Sequence, residues 1–532
     1  VQEVLGQRLL MVKNPWSHKR WRGNFSAEDR VHWTPELRRA LNYDQAGALQ
    51  YDNGIFWIDF DSVCRFFRGI YLNWNPELFV HRQVLHASWR LSDPGPRNDT
   101  YTLGYNPQYA LHLNVPARSS RSERSSTASV WLLLTRHVTS KAGLLRGSAE
   151  DSSQQVRKED AEEDQDYLTL HVYRERGGAR VYYPHGAMLR GTYTNNPHTL
   201  LRFDVPPGKH AFTLVVSQYD RLRTIDYTLC AFSMAPCRML PVARGLQHEA
   251  KVVGEWDARS AGGSGRHATF MNNPQWRLTL AAPTILQARL EAPVDFAVNV
   301  RLLRGGELVT ALGGATEVVN TGDYRNGFCF VETAEAVAPG AYTVIPSTFD
   351  PGQVGRFLLF VGSTSCPVQL TRIPPEGHGM LAREERGAWS AHDGTAAGCL
   401  NFGRYHQNPR WKLHVPPGGA SVLVRVRPMR IRPPPSVHVA IIRVGGGGGG
   451  GGGASEVLSA RDFAAKDALA ATSNNGVYTN PPSGVATPIT RLDEGEYVVV
   501  PSTFKPLEGE FALLVFTDRS VVFLRDTRPV VE

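Results

Sequence analysis

Hydrophobic and polar positions alternate in short runs along most of this chain, the pattern of strands that bury one face. The clearest runs carry Tyr109, Leu111 and Leu113, then Trp276, Leu278 and Leu280, then Trp411, Leu413 and Val415. Each run follows an Asn-Pro turn, at Asn106-Pro107, Asn273-Pro274 and Asn408-Pro409. Those turns lie 17, 17 and 19 residues after Trp89, Trp256 and Trp389. A second pattern recurs further on: Gly340 to Phe349 reads GAYTVIPSTF, Gly495 to Phe504 reads GEYVVVPSTF, and Gly208 to Asp220 is a looser version with Phe212 and Tyr219 in the aromatic places. Short strands, Pro/Gly turns and one order repeated three times predict three antiparallel β-sandwiches, at 84–241, 250–376 and 384–532.

Residues 1–80 are patterned differently. Arg8 to Val12 reads as a strand, followed by a polar, Trp-rich loop through Trp21 and Trp33. Asn53-Gly54 opens a second apolar run, Ile55 to Ile58, and Asp59 or Asp61 is placed to cap a short helix carrying Val63, Phe66 and Phe67. The segment is aromatic-dense but small, and it reads as the edge of a larger domain.

Composition adds bounds to this picture. A chain of 532 residues is too long for one core, and its 50 Gly and 35 Pro suit many short strands. A net charge of +8 over this length, with 50 acidic residues, argues against nucleic acid as a partner. The six cysteines are far apart with no CxxC pair, which predicts buried thiols in a reducing compartment. No apolar run approaches the length of a membrane span, and no secretion signal is visible. Val1 in place of Met leads to the expectation of a fragment. Three inserts are expected to be loops: the Ser/Arg-rich 116–129, the acidic 148–166, and nine glycines, Gly445 to Gly453.

The candidate chemistry centres on Asn14-Pro15-Trp16. In a cysteine protease a thiolate attacks the carbonyl, a histidine moves the proton, and a third residue, often Asn, orients the imidazole. Such an orienter needs a rigid seat and an aromatic cover over its hydrogen bond. Asn14 offers the first through its strand and Pro15, and Trp16 and Trp21 offer the second. Asn-Pro is also an ordinary turn opener and recurs three times later, so the tripeptide alone supports either reading.

Its surroundings narrow the choice. Val12 to Trp16, Trp21-Arg22-Gly23, Asn53 to Phe60 and Phe66 resemble the end of the calpain protease core. The Pro-Ser-Thr-Phe segments at 346–349 and 501–504 resemble a signature of the calpain C2-like β-sandwich. The resemblance covers essentially the whole chain and is to the atypical branch, calpain-7 and its fungal PalB/Rim13-type relatives. It implies a mainly β architecture: the C-terminal remnant of a papain-like (α+β) protease domain at 1–80, then three C2-like sandwiches. It also implies a Cys-His-Asn endopeptidase with Asn14 as the His-orienting member and Trp16 shielding the His-Asn contact. The family's Cys and His lie upstream of the Asn, and the 13 residues before Asn14 contain neither. His18 follows on the wrong side and reads as a loop residue; Cys64 reads as core packing. The chain alone is therefore expected to be inactive, the C-terminal part of a protease. The alternative is a non-catalytic C2-like adaptor for proteins or anionic membrane.

The remaining expectations are few. The chemistry requires no cofactor. Family resemblance raises calcium, and Glu28, Asp29, Asp44 and Asp52 are carboxylates in the relevant loop, but no site is assignable. Arg425, Arg427, Arg430 and Arg432 alternate before three prolines, which places three or all four on a basic patch for anionic lipid or acidic protein. The solvent face of an edge strand explains them equally. The resemblance implies a protein substrate, ESCRT or endosomal scaffold partners, and a cytoplasmic location with peripheral contact to endosomal membrane, within alkaline-pH signalling in fungi.

Overall fold

The computed structural model describes residues 1–16, 20–50, 53–70, 72–117, 127–137, 166–174, 178–312, 317–444 and 468–526. His18, Asp52, most of the 148–166 insert and Gly445 to Gly453 lie outside the described residues. The chain divides into two compact units, Val1–Val80 and His81–Glu532.

The first unit is a three-stranded antiparallel sheet with short helices. Strands β1 (Gln2–Val4) and β2 (Gln7–Lys13) are followed by helices α1 (Pro35–Ala40) and α2 (Gln45–Gln50), then strand β3 (Ile55–Asp59) and helix α3 (Phe60–Phe66). The sheet order is β1-β2-β3. The Trp-rich stretch between β2 and β3 packs a core of its own, in which Leu9, Phe25, Trp33, Leu37 and Trp57 are buried. Trp33 donates its indole N–H to the Ser26 carbonyl at 2.9 Å, so burying the ring leaves no orphaned donor. Thr34 caps α1, with Pro35 at the first helical turn, where no N–H is needed.

Asp59 is the cap of α3, its carboxylate accepting from Ser62 N at 2.7 Å. That resolves the choice between Asp59 and Asp61. The helix itself corrects an expectation: Cys64 is exposed, not packed in a core. Among the described side chains of α3 only Val63 is buried, and Phe66 is 59% exposed.

The second unit is mainly β; its described residues form six antiparallel sheets in three successive pairs, each pair closing on one hydrophobic cluster. In the first pair, the sheet holding Gln108–Val115 and Gly208–Gln218 faces the sheet holding His81–Trp89 and Ile225–Ser233. In the second, the sheet of Gln275–Leu280, Gly340–Thr348 and Ala297–Arg304 faces that of His248–Trp256 and Gly355–Ser363. In the third, the sheet of Trp411–Val415, Gly495–Thr503 and Val437–Val444 faces that of Leu381–Trp389 and Gly509–Thr517.

The sequence repeats have a physical meaning in this arrangement. Trp256 and Trp389 end the first strands of their copies, pack on Phe357 and Phe511 at 4.2 and 4.3 Å, and donate to the carbonyls of Pro346 and Pro501. Each proline sits two residues past the last pairing of its strand with Gln275–Leu280 or Trp411–Val415, where a missing N–H breaks no ladder on that side. In the adjoining Ser-Thr pairs, Ser347 and Ser502 bond the hydroxyls of Tyr324 and Tyr478 at 2.9 and 2.8 Å. Thr348 and Thr503 donate to carbonyls two residues on, at 2.8 and 2.7 Å, closing the turn. The signature is a set of polar plugs for the end of the sandwich core.

Successive pairs are also tied to each other. Tyr182 stacks on Phe330 at 3.8 Å between ring centres. The Tyr183 hydroxyl accepts from Phe330 N at 2.8 Å and donates to Phe330 O at 3.1 Å. Phe330 lies on Phe328–Glu332, the outer strand of its sheet, so a side chain from the first pair caps an edge of the second.

Candidate functional site

Asn14 follows β2 directly, and its position is fixed by the backbone. Its N–H donates to Gly54 O at 2.8 Å, extending the β2–β3 pairing by one bond. Gly54 has φ of +74°, and a Cβ there would lie 2.3 Å from the Asn14 carbonyl oxygen. Both the left-handed conformation and the close approach demand glycine. Gly54 thus seats Asn14, a role the sequence signals only through its place after Asn53 at the start of an apolar run.

The Asn14 side chain makes an Asx turn, Oδ1 accepting from Trp16 N at 3.0 Å. Trp16 is 80% exposed. Trp21 packs edge-on against Phe66 at 5.2 Å and donates to Asn24 O at 2.7 Å. Asn14 and Trp16 are therefore brought together at the end of β2, with the amide half-buried and the indole ring facing outward.

The loop carboxylates are placed differently from a cation site. Asp29 accepts from the backbone N–H groups of Phe25, Val31 and His32 at 2.7, 2.8 and 3.2 Å, and its Oδ2 lies 2.8 Å from His32 Nδ1. Burial pushes its pKa up, but the backbone bonds of Val31, Phe25 and His32 and the bond to the His32 ring outweigh burial and hold the carboxyl below its ordinary value. Asp44 accepts from Gly47 N at 3.1 Å. Among the described residues no group of three or more His, Cys, Asp and Glu is positioned to hold a metal ion.

The four arginines of the expected basic patch are not brought together. Arg425 corrects that expectation: it is 3% exposed and forms a two-pronged ion pair with Glu376, both bonds at 2.6 Å. It also donates to the carbonyls of Ser483 and Gly484 at 3.1 Å each. Glu376 lies between Gln369–Ile373 and Leu381–Trp389, so Arg425 anchors the segment joining the second and third sheet pairs. Arg427 is half-buried, 3.8 Å from Glu384. Arg430 and Arg432 are exposed beyond the end of the strand Ala420–Met429. Alternation identified the face of the strand but gave no sign of the carboxylate that covers it.

Comparison with known proteins places this geometry. The model of the calpain family cysteine protease matches residues 2–73, the span that contains Asn14 and Gly54. Calpain-7 of Homo sapiens is 35% identical over 377 residues, 70% of this chain and 43% of that protein. The calpain-like protease palB of Emericella nidulans is 31% identical over 388 residues, 72% of this chain and 40% of that protein. Calpain-like protease palB/RIM13 of Cryptococcus neoformans is 29% identical over 476 residues, 87% of this chain and 52% of that protein. The chain spans about half or less of the length of these curated relatives. Its homology is to cysteine proteases. Within that class the homology is to the calpain family, of the PalB/Rim13 and calpain-7 kind, over about 70% of the chain.

Proposed function

We propose that this chain is the C-terminal part of a calpain-type cysteine endopeptidase. Asn14 is its His-orienting triad residue, Trp16 covers the His-Asn contact, and three C2-like sandwiches at 84–241, 250–376 and 384–532 follow a protease remnant at 1–80. The observation that carries the reading is the seat of Asn14: a backbone bond from the end of a strand to a glycine that tolerates no side chain, inside the stretch matched by the calpain family. An orienting residue works by holding an imidazole in one tautomer and one direction, so a fixed backbone is what the role requires. The Cys and His come from outside this polypeptide, and the isolated chain is inactive. Calcium is not needed for the bond-breaking step itself, and none of the described residues is assigned to it. A place in ESCRT-linked, alkaline-pH signalling at the endosome is part of the same proposal and rests on the family resemblance alone.

The experiment joins this chain behind the remainder of human calpain-7, the part that supplies a Cys and a His. Thiol-dependent peptide hydrolysis by the fusion, and its absence from the isolated chain, is the expected result. Hydrolysis by the isolated chain that Cys64→Ser abolishes would identify a different nucleophile and overturn the reading.

A further inference from the structure

The second sheet pair carries a pocket of ≈ 690 Å³ to which the triad reading assigns no role. It is bordered by Ser264, Arg266, Arg301, Asp323, Tyr324 and Phe349, among others. Its volume is in the range of sites that accept a small ligand or a few residues of peptide. Arg301 points away from the core side of its strand, on which Val298, Val300 and Leu302 are buried. Tyr324 and Phe349 meet edge to face at 5.4 Å and form an aromatic wall.

The pocket's polar groups are poorly satisfied. Ser264 is 3% exposed, and among the described residues its buried Oγ has no hydrogen-bond partner. Arg301 is paired through Nη1 with Glu317 and lies against the Tyr324 hydroxyl, yet among the described residues its buried Nε has no partner. A buried donor left unmade forfeits the hydrogen bond it would make to water, so two such groups beside one cavity need a reason. The fold does not supply it. In the third pair the same scaffold places Ala440 opposite Val500, where the second pair places Arg301 opposite Ile345. Cys399 likewise donates its backbone N–H to Phe504 O, as Ser264 does to Phe349 O. The third copy thus folds with an alanine and a thiol where the second keeps a guanidinium and a hydroxyl.

We propose that this pocket binds the carboxylate of an acidic peptide segment in a protein partner. The carboxylate accepts from Arg301 Nε and Ser264 Oγ after a change of side-chain rotamer, since neither atom is open to solvent as the side chains stand; the ring of Phe349 covers the adjoining methylene groups, and exposed Arg266 attracts the peptide at the rim. Asp323 is exposed at the same rim, and Glu317 already neutralises much of the Arg301 charge. That balance suits a singly charged carboxylate and works against a doubly charged phosphate. The proposal is independent of Asn14 and holds whether or not the triad reading does.

The test uses the full 532-residue chain and a fluorescein-labelled hexapeptide of alternating Glu and Gly, titrated by anisotropy. Saturable binding is expected. Arg301→Ala, which installs the residue of the third copy, is expected to weaken it by about 10–100-fold, the range of a charge-assisted bond. Arg266→Ala at the exposed rim, which puts no part of the core at risk, is expected to weaken it several-fold and to flatten its salt dependence. Arg430→Ala is expected to leave it unchanged. Failure to saturate at millimolar peptide, or indifference to both Arg301→Ala and Arg266→Ala, would overturn the proposal. So would tighter binding of a phosphoserine peptide lost through the same two variants, which would make the site one for phosphate.

Discussion

The chain uses the dipeptide Asn-Pro in two ways, and the contrast between its first unit and its repeated sheets shows what the dipeptide itself specifies. In the repeats, Asn106, Asn273 and Asn408 are buried, and their amide groups are used within the fold. Asn273 donates to the carbonyls of Gly263 and Phe270 at 2.8 and 2.9 Å, and Asn408 to those of Gly398 and Tyr405 at the same distances. Asn106 reaches Val216 O and Ser217 Oγ, at 3.1 Å each. These are side-chain plugs for buried loop carbonyls. Asn14 is held instead through its main chain, with its Oδ1 in a local turn to Trp16 N. One dipeptide thus fixes a loop through its amide side chain, and in the other setting holds that amide at a strand end.

The largest predicted effect concerns how completely the repeats commit polar side chains to structure. His438 stands opposite Ser502, as Asn299 stands opposite Ser347 in the second copy. Burial pushes the His438 pKa down from 6.5 to about 4. The folded state then binds fewer protons than the unfolded state below pH 6.5. Stability should fall between pH 6.5 and about 4, by about 3 kcal/mol in all, and level off beneath that. Denaturant titrations of the wild type and of His438→Asn should diverge over that window. Parallel curves would mean that the imidazole is accommodated when charged.

Next in size are the plugs themselves. Asn408→Ala and Asn273→Ala each strand one loop carbonyl, that of Gly398 or Gly263, since the backbone N–H still serves Tyr405 O or Phe270 O; each is expected to cost about 1–3 kcal/mol in urea unfolding of the repeated unit. A cost near zero would erase the distinction between the two uses of Asn-Pro. Gly54→Ala forces a left-handed residue against the Asn14 carbonyl and should cost about 1–3 kcal/mol in the first unit, read by amide exchange of the β2–β3 bonds. The smallest effect is expected at Asn14, where Asn14→Ala removes a local turn bond and should change stability by no more than about 0.5 kcal/mol.

The sequence was legible where one local pattern determines the outcome. Alternation and the three Trp-to-Asn-Pro spacings gave the strands and their repetition, because period-two burial is written into consecutive residues. Asp59 and Asp61 before a short apolar helix narrowed its cap to two candidates, and the bond from Ser62 N chose Asp59. Contacts between distant residues left no such trace. Nothing near Arg425 announces Glu376, 49 residues earlier, so an arginine read as part of a surface patch is a buried anchor. The loop around Trp33 was legible as aromatic but not as a packed core, since its helices α1 and α2 are only six residues long and too short to show a periodicity. Cys64 failed for a related reason: an apolar run marks the residues of a helix without marking which side finds a neighbour. At the candidate site, the resemblance named Asn14, while the glycine that seats it emerged only from φ and the 2.3 Å approach.

The central claim is that Asn14 serves chemistry rather than folding. Its most direct test is the rate of peptide hydrolysis by the fusion with the Cys- and His-bearing part of human calpain-7, with and without Asn14→Ala. A fall in kcat of about 10–100-fold is expected, the usual cost of losing an orienting partner, with the unfolding midpoint unchanged. An unchanged kcat, or a loss of activity that follows a loss of folded protein, would contradict it.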